Sequence, residues 1–238
     1  MRIAVSSSTF RRPLEAGDLT QLEWVERCAS ALGADGVVTA VSDFPRFDDE
    51  YVAQLRKVAI DLGIVPFGID APGLLDAGGE PAALDRAVAV ARGFGAAVIR
   101  TRPPAPGEVP PATFVATVRT AKAVARAVKA ANVTVLVAAA PGTIAEDLAG
   151  LRHLLKDADS AWLRACPPAT IAPGQIGPKD RVPAYLATAA DDPAAVVERA
   201  SAAWVILDAP PSDQPWEAVG EAIAALRAAE ARRRLAGG

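Results

Sequence analysis

Residues 133–143 read VTVLVAAAPGT, and within them an uncharged run gives way first to a turn and then to a helix start. The run from Val133 to Val137 is mostly β-branched, which predicts a strand covered on both faces of a parallel sheet. Pro141 and Gly142 then reverse the chain. Thr143 with Glu146 three positions on has the form of a capping box, which predicts a helix from that point.

The same alternation runs from end to end. Strands are predicted at residues 3–6, from Gly36, and at 64–69, 97–101, 133–137, 161–166, 182–188 and 204–207. Between them, Thr20 with Glu23 opens a helix in which Leu22, Val25, Cys28, Ala29 and Leu32 recur at helical spacing before Gly33. Asp48 caps the next, Pro81 fits the first turn of another, residues 113–131 form a long one, and Pro215 begins the last. Strands alternating with helices over 238 residues predict one domain, residues 1–238, folded as a (β/α)8 TIM barrel. Residues 169–181, ATIAPGQIGPKDR, hold two glycines and two prolines with no helical period, so the sixth βα unit is expected to be shortened or irregular.

Charge and composition exclude several functions. A net charge of -3 gives no field for a polyanion, and no basic stripe alternates with aromatics, so nucleic acid is not expected as a partner. No stretch approaches the ~20 uninterrupted apolar residues of a membrane span, and the opening MRIAVSSSTF lacks a signal-peptide core. Cys28 and Cys166 have no CxxC spacing and read as reduced, buried thiols, so the expected location is cytoplasmic. GxGxxG, Walker, GxSxG and CxxC motifs are all missing. His153, the single histidine, falls on a helix flank and reads as a surface residue; one histidine cannot build a three-histidine metal site.

In a barrel of this kind chemistry sits at the carboxyl ends of the strands. Those ends bring Asp70, Arg100, Arg102 and Asp208 toward one another, with Arg164 a further candidate whose strand register is ambiguous. Side-chain alternation puts Val98, Arg100 and Arg102 on one face of the fourth strand, and the face toward the barrel axis suits two arginines better than apolar helices do. The cluster Ser6, Ser7, Ser8 reads as a polar loop solvating a strand end. Gln175, Lys179 and Arg181 lie in a loop able to cover the mouth, although plain surface is the reading adopted for them.

LEWVERCASALGADGVV at residues 22–38 and VTVLVAAAPGT at 133–143 resemble the xylose isomerase-like barrels of the sugar phosphate isomerase/epimerase superfamily. The resemblance implies a divalent metal held at the strand ends. It aligns Ala138 with a metal-ligating glutamate, Pro167 with an aspartate ligand, Asp70 with a histidine, and Asp208 at or next to the last glutamate; Val38 stands where those proteins often carry an acid. With these ligands replaced, the expectation is a divergent barrel without metal or other cofactor. It would bind a small anionic molecule, carboxylate or phosphate, through Arg100, Arg102 and Arg164, with Asp70 or Asp208 as base if it catalyses an isomerase-like reaction. The alternative is a non-catalytic barrel serving as a binding or assembly subunit, and least expected is a conventional metal-dependent sugar isomerase. The sequence leaves homo-oligomer formation open.

Overall fold

The structure is a computed structural model that describes residues 1–76, 78–108, 110–171, 182–200, 203–210 and 214–236. The first half runs β1 (Arg2–Ser6), α1 (Arg11–Ala16), α2 (Gln21–Ser30), β2 (Gly36–Ala40), α3 (Asp49–Asp61), β3 (Val65–Asp70), α4 (Pro81–Phe94) and β4 (Val98–Thr101). The second half runs α5 (Pro110–Ala131), β5 (Thr134–Ala138), α6 (Leu148–Ala158), β6 (Leu163–Cys166), β7 (Ala184–Ala187), α7 (Pro193–Arg199), β8 (Trp204–Leu207) and α8 (Pro215–Ala236). All strand pairs are parallel, in the order β6-β5-β4-β3-β2-β1-β8-β7. This is the expected (β/α)8 barrel, nearly closed.

Closure between β6 and β7 is incomplete for a chemical reason. Pro167 and Pro168 follow β6 directly and have no N–H to donate. What remains among the described residues is one isolated bridge, Pro168 opposite Leu186, made by Leu186 N–H to Pro167 O at 2.9 Å and Ala169 N–H to Leu186 O at 2.6 Å.

Side-chain alternation divides the interior into two cores. Ile3, Val5, Val37, Ile69, Ile99, Val135 and Val137 point outward and pack under the helices. A smaller cluster fills the barrel itself, with Ala4, Val38, Phe67, Val98, Leu136, Ala138, Cys166 and Ile206 among its members. The register shifts between Val37 and Val38, where Phe67 is the extra residue on β3, and the Phe67 ring stacks on Trp204 at 4.4 Å between centroids. Bulky rings on the floor leave the upper layer to polar groups.

Most predicted helix starts hold. Thr20 accepts from Glu23 N–H while Glu23 caps Thr20 N–H, Asp48 accepts from Tyr51 N–H, and Pro81 opens α4. The box at Thr143 and Glu146 does not open a helix. Thr143 hydroxyl donates to Ala140 O at 2.8 Å, closing a turn, and α6 begins four residues after Ile144, capped by Asp147 accepting from Gly150 N–H. Ile144 N–H is instead bound to Pro104 O at 3.0 Å, which ties the β5 exit to the β4 exit and delays the helix. Residues 172–181, including Gln175, Lys179 and Arg181, lie outside the described residues.

Close packing at the floor supplies a stability test. A Cβ built on Gly36 falls 2.9 Å from the Trp204 ring and 3.0 Å from Val65 O, so Gly36→Ala should destabilise the fold by about 1–3 kcal/mol through overpacking. Urea denaturation measures this, and an unchanged midpoint would contradict the packing described.

Candidate active site at the barrel mouth

Arg100 is the last inward residue but one on its strand line, and burial leaves it 1% exposed. A guanidinium at such a depth requires partners on nearly every N–H. Its Nε donates to Asp70 Oδ1 at 3.0 Å and its Nη2 to Asp70 Oδ2 at 2.8 Å, the two-pronged geometry that suits guanidinium and carboxylate. Nη1 donates to Asp208 Oδ2 at 2.6 Å, and Nη2 also donates to Ser6 Oγ at 3.2 Å. Four of the five N–H groups of Arg100 are therefore engaged.

Proton accounting fixes the direction of the remaining bonds. Ser8 hydroxyl donates to Asp208 Oδ1, so in the 2.8 Å contact between the Ser6 and Ser8 hydroxyls Ser6 is the donor. Arg100 thus donates to Ser6, Ser6 to Ser8 and Ser8 to Asp208, and the ring closes because Arg100 also donates to Asp208, which only accepts. Thr9 reinforces it from outside: its hydroxyl donates to Ala209 O at 3.2 Å and accepts from Ala209 N–H at 3.1 Å, clasping the β1 exit to the β8 exit.

Arg102 completes the charge balance. Two carboxylates and the Arg100 guanidinium leave one negative charge, which Arg102 offsets from the rim with Nη2 3.7 Å from Asp208 Oδ2 and its side chain 52% exposed. The favourable fields of Asp70 and Asp208 outweigh burial and push the Arg100 pKa above its already high ordinary value, so it is charged at every accessible pH. Cys166, fully buried beside it, is pushed up to about 12, by burial first and by the negative charges of Asp208 and Asp70, against the opposing pull of Arg100.

Four of the five sequence-predicted residues converge: Asp70, Arg100, Arg102 and Asp208. Arg164 does not. It sits on β6 opposite Leu136, a full pleat below Cys166, its Nη1 donates to Leu163 O at 3.3 Å, and it lines a cavity with Ala97, Thr134 and Pro183 at the amino ends of the strands. The register left ambiguous by the sequence puts Arg164 on the inward line of β6, but its guanidinium belongs to the opposite end of the barrel. Ser6 and Ser8, read from sequence as a solvating loop, are members of the ring. Asp43, in the turn after β2, carries no signal in the sequence; its Oδ2 accepts Ala40 N–H at 3.2 Å, and burial raises its pKa. His153 lies on α6, 63% exposed, stacked on Phe114 and 3.5 Å from Asp157.

The residues present do not fit the divalent metal that the resemblance implies. Ala138 ends β5 with a methyl group, Pro167 follows β6 with no donor side chain, and the Arg100 guanidinium stands between the two carboxylates that remain. A second cation there would face the first at close range. Among the described residues, no three His, Cys, Asp or Glu side chains are grouped so as to hold an ion.

No family model matches this chain, and no curated protein sequence matches it either. Solved structures do. The probable 3-DHS dehydratase AsbF of Bacillus anthracis superposes with a TM-score of 0.76 at 12% identity, over 95% of this chain and 99% of that one. A 3-keto-D-glucoside 4-epimerase, YcjR, of E. coli gives 0.75 at 11% identity, over 96% and 99%. A xylose isomerase domain containing protein of Salmonella typhimurium LT2 gives 0.69 at 12%, over 97% and 96%. The fold is that of the xylose isomerase-like TIM barrels. At these identities the likeness speaks for the fold, which in those proteins carries more than one chemistry.

Two measurements check the site. Arg100→Met strands two buried carboxylates and should cost about 3–5 kcal/mol of unfolding free energy, read by chemical denaturation. In the native protein the Cys166 thiol should resist alkylation at pH 8 and react only on unfolding, since its thiolate is scarce and enclosed; rapid labelling of folded protein would contradict the burial of Cys166 beneath the ring.

Proposed function

We propose that this barrel binds a small anionic organic molecule at its mouth without a metal ion, with Arg102 as the group that meets the anion. The observation that carries this reading is the division of labour between the two arginines. Arg100 is spent on Asp70, Asp208 and Ser6, whereas Arg102 is half exposed and, among the described residues, held by a 3.7 Å ion pair. An incoming carboxylate or phosphate can take Arg102 without stranding Asp208, which keeps Arg100 and Ser8. A planar guanidinium grips such groups through paired N–H donors.

Sugar epimerases among the structural neighbours support a hydroxylated substrate class, a sugar acid or sugar phosphate. If the protein turns such a ligand over, Asp208 is the better base. It is 13% exposed against 7% for Asp70, and Asp70 has both oxygens committed to one guanidinium. The second reading, a barrel that binds without catalysis, is supported by the engagement of both carboxylates, since each oxygen of Asp70 and of Asp208 already accepts a hydrogen bond.

The reading is tested by titrating the protein with a panel of sugar acids and sugar phosphates by calorimetry, before and after chelation. Binding unaffected by chelator, and weakened at least tenfold by Arg102→Ala with the melting temperature unchanged, is the expected result. Silence across the panel would favour an assembly role, and stoichiometric manganese or zinc required for binding would overturn the proposal.

A further inference from the structure

Beside the filled axis lies an open cleft of about 470 Å³, between α1, the first turn of α2 and the segment from Ser42 to Pro45. Its size suits a small organic ligand, and it is on the side of the barrel where these folds bind their substrates. Leu14, Leu19, Leu22 and the Tyr51 ring form its apolar wall, while Glu15 and Asp43 contribute carboxylates. None of the described lining residues is basic, and Arg46, 5.5 Å from the Tyr51 ring centroid, is paired with Asp48 at 2.9 Å.

The wall is held in shape by hydrogen bonds. Gln21 donates to the Thr39 hydroxyl at 2.6 Å and accepts from the Tyr51 hydroxyl at 3.1 Å, so the Tyr51 ring is pinned from α3 onto α2. At the start of α2, where free amides attract an anion, the capping box takes up the N–H groups of Thr20 and Glu23, and Glu23 adds negative charge there. Asp43 is the more buried of the two carboxylates. Ser7 and Ala40 N–H hydrogen bond it, and Arg11 and Asp70 act on it through space. Arg11 reaches Glu15 only at 4.0 Å, with both side chains more than half exposed, so it shields the cleft weakly.

We propose that this cleft is a second binding site, for a small amphipathic amine whose ammonium group meets Asp43 and whose apolar body lies against Leu14, Leu19, Leu22 and Tyr51. Burial pushes the Asp43 carboxyl above its ordinary range against the pull of Ser7, Ala40 N–H and Arg11, and the charge of Asp70 adds to the rise. A docked cation offsets the cost of that buried charge, whereas a docked anion adds to it. The site is independent of the anion reading at the mouth. Its ligand has the opposite charge, and it uses none of Arg100, Arg102 or Asp208.

Benzylamine and benzyl alcohol serve as probes, being nearly the same shape and differing in charge at neutral pH. Calorimetry on the full chain should give at least tenfold tighter binding of the amine. Asp43→Asn keeps an oxygen for Ala40 N–H and should abolish that preference without lowering the melting temperature. Ser42→Trp, at an exposed position, should block both probes, while Arg102→Ala should leave amine binding unchanged and thereby separate this site from the mouth. Equal binding of the two probes, no binding of either, or amine binding that survives both Asp43→Asn and Ser42→Trp would overturn the proposal.

Discussion

A guanidinium buried between two carboxylates decides what the rest of this barrel can be. Charges taken out of water are tolerated only when they meet opposite charge in good geometry, and the Arg100 partners supply it from three different strands. Asp70 comes from β3, Ser6 from β1 and Asp208 from the exit of β8. Their convergence requires the barrel to close to within hydrogen-bonding distance across its axis. The two cores below it serve that requirement: outward apolar residues fix the helices on the strands, and the rings of Phe67 and Trp204 fill the floor so that the upper layer is drawn tight. A pair of this kind need add little net stability over an apolar plug, but it makes one strand arrangement far better than its near alternatives.

Much of this was legible in the residues. Uncharged β-branched runs alternating with capped helical stretches specify eight strands and their order, because parallel strands joined by helices have few other solutions. Strand alternation placed Arg100 inward, and strand ends brought Asp70, Arg102 and Asp208 to it. Alternation could not settle height along the axis, which is why Arg164 points inward yet lies at the far end. Height depends on register, and register is a property of strand pairs.

Short-range signals failed where a long-range contact outweighed them. Thr143 and Glu146 have capping-box spacing, but the bond from Ile144 N–H to Pro104 O competes for the backbone, and the helix waits for Asp147. Ser6 and Ser8 look like any hydroxyls at a strand end; only a partner some two hundred residues away, Asp208, turns one of them into a link of the ring. Asp43 carries no motif. Its environment is made by the neighbouring elements, and no local pattern announces it.

The gap between β6 and β7 has a consequence of another kind. A fully closed barrel has no free strand edges, whereas among the described residues β6 and β7 meet only at an isolated bridge, and open edges invite pairing with strands of other molecules. Pro167 and Pro168 on one side and Pro183 on the other face that danger with backbone that cannot donate. The residues that keep the ring from zipping shut also make it a poor template for aggregation.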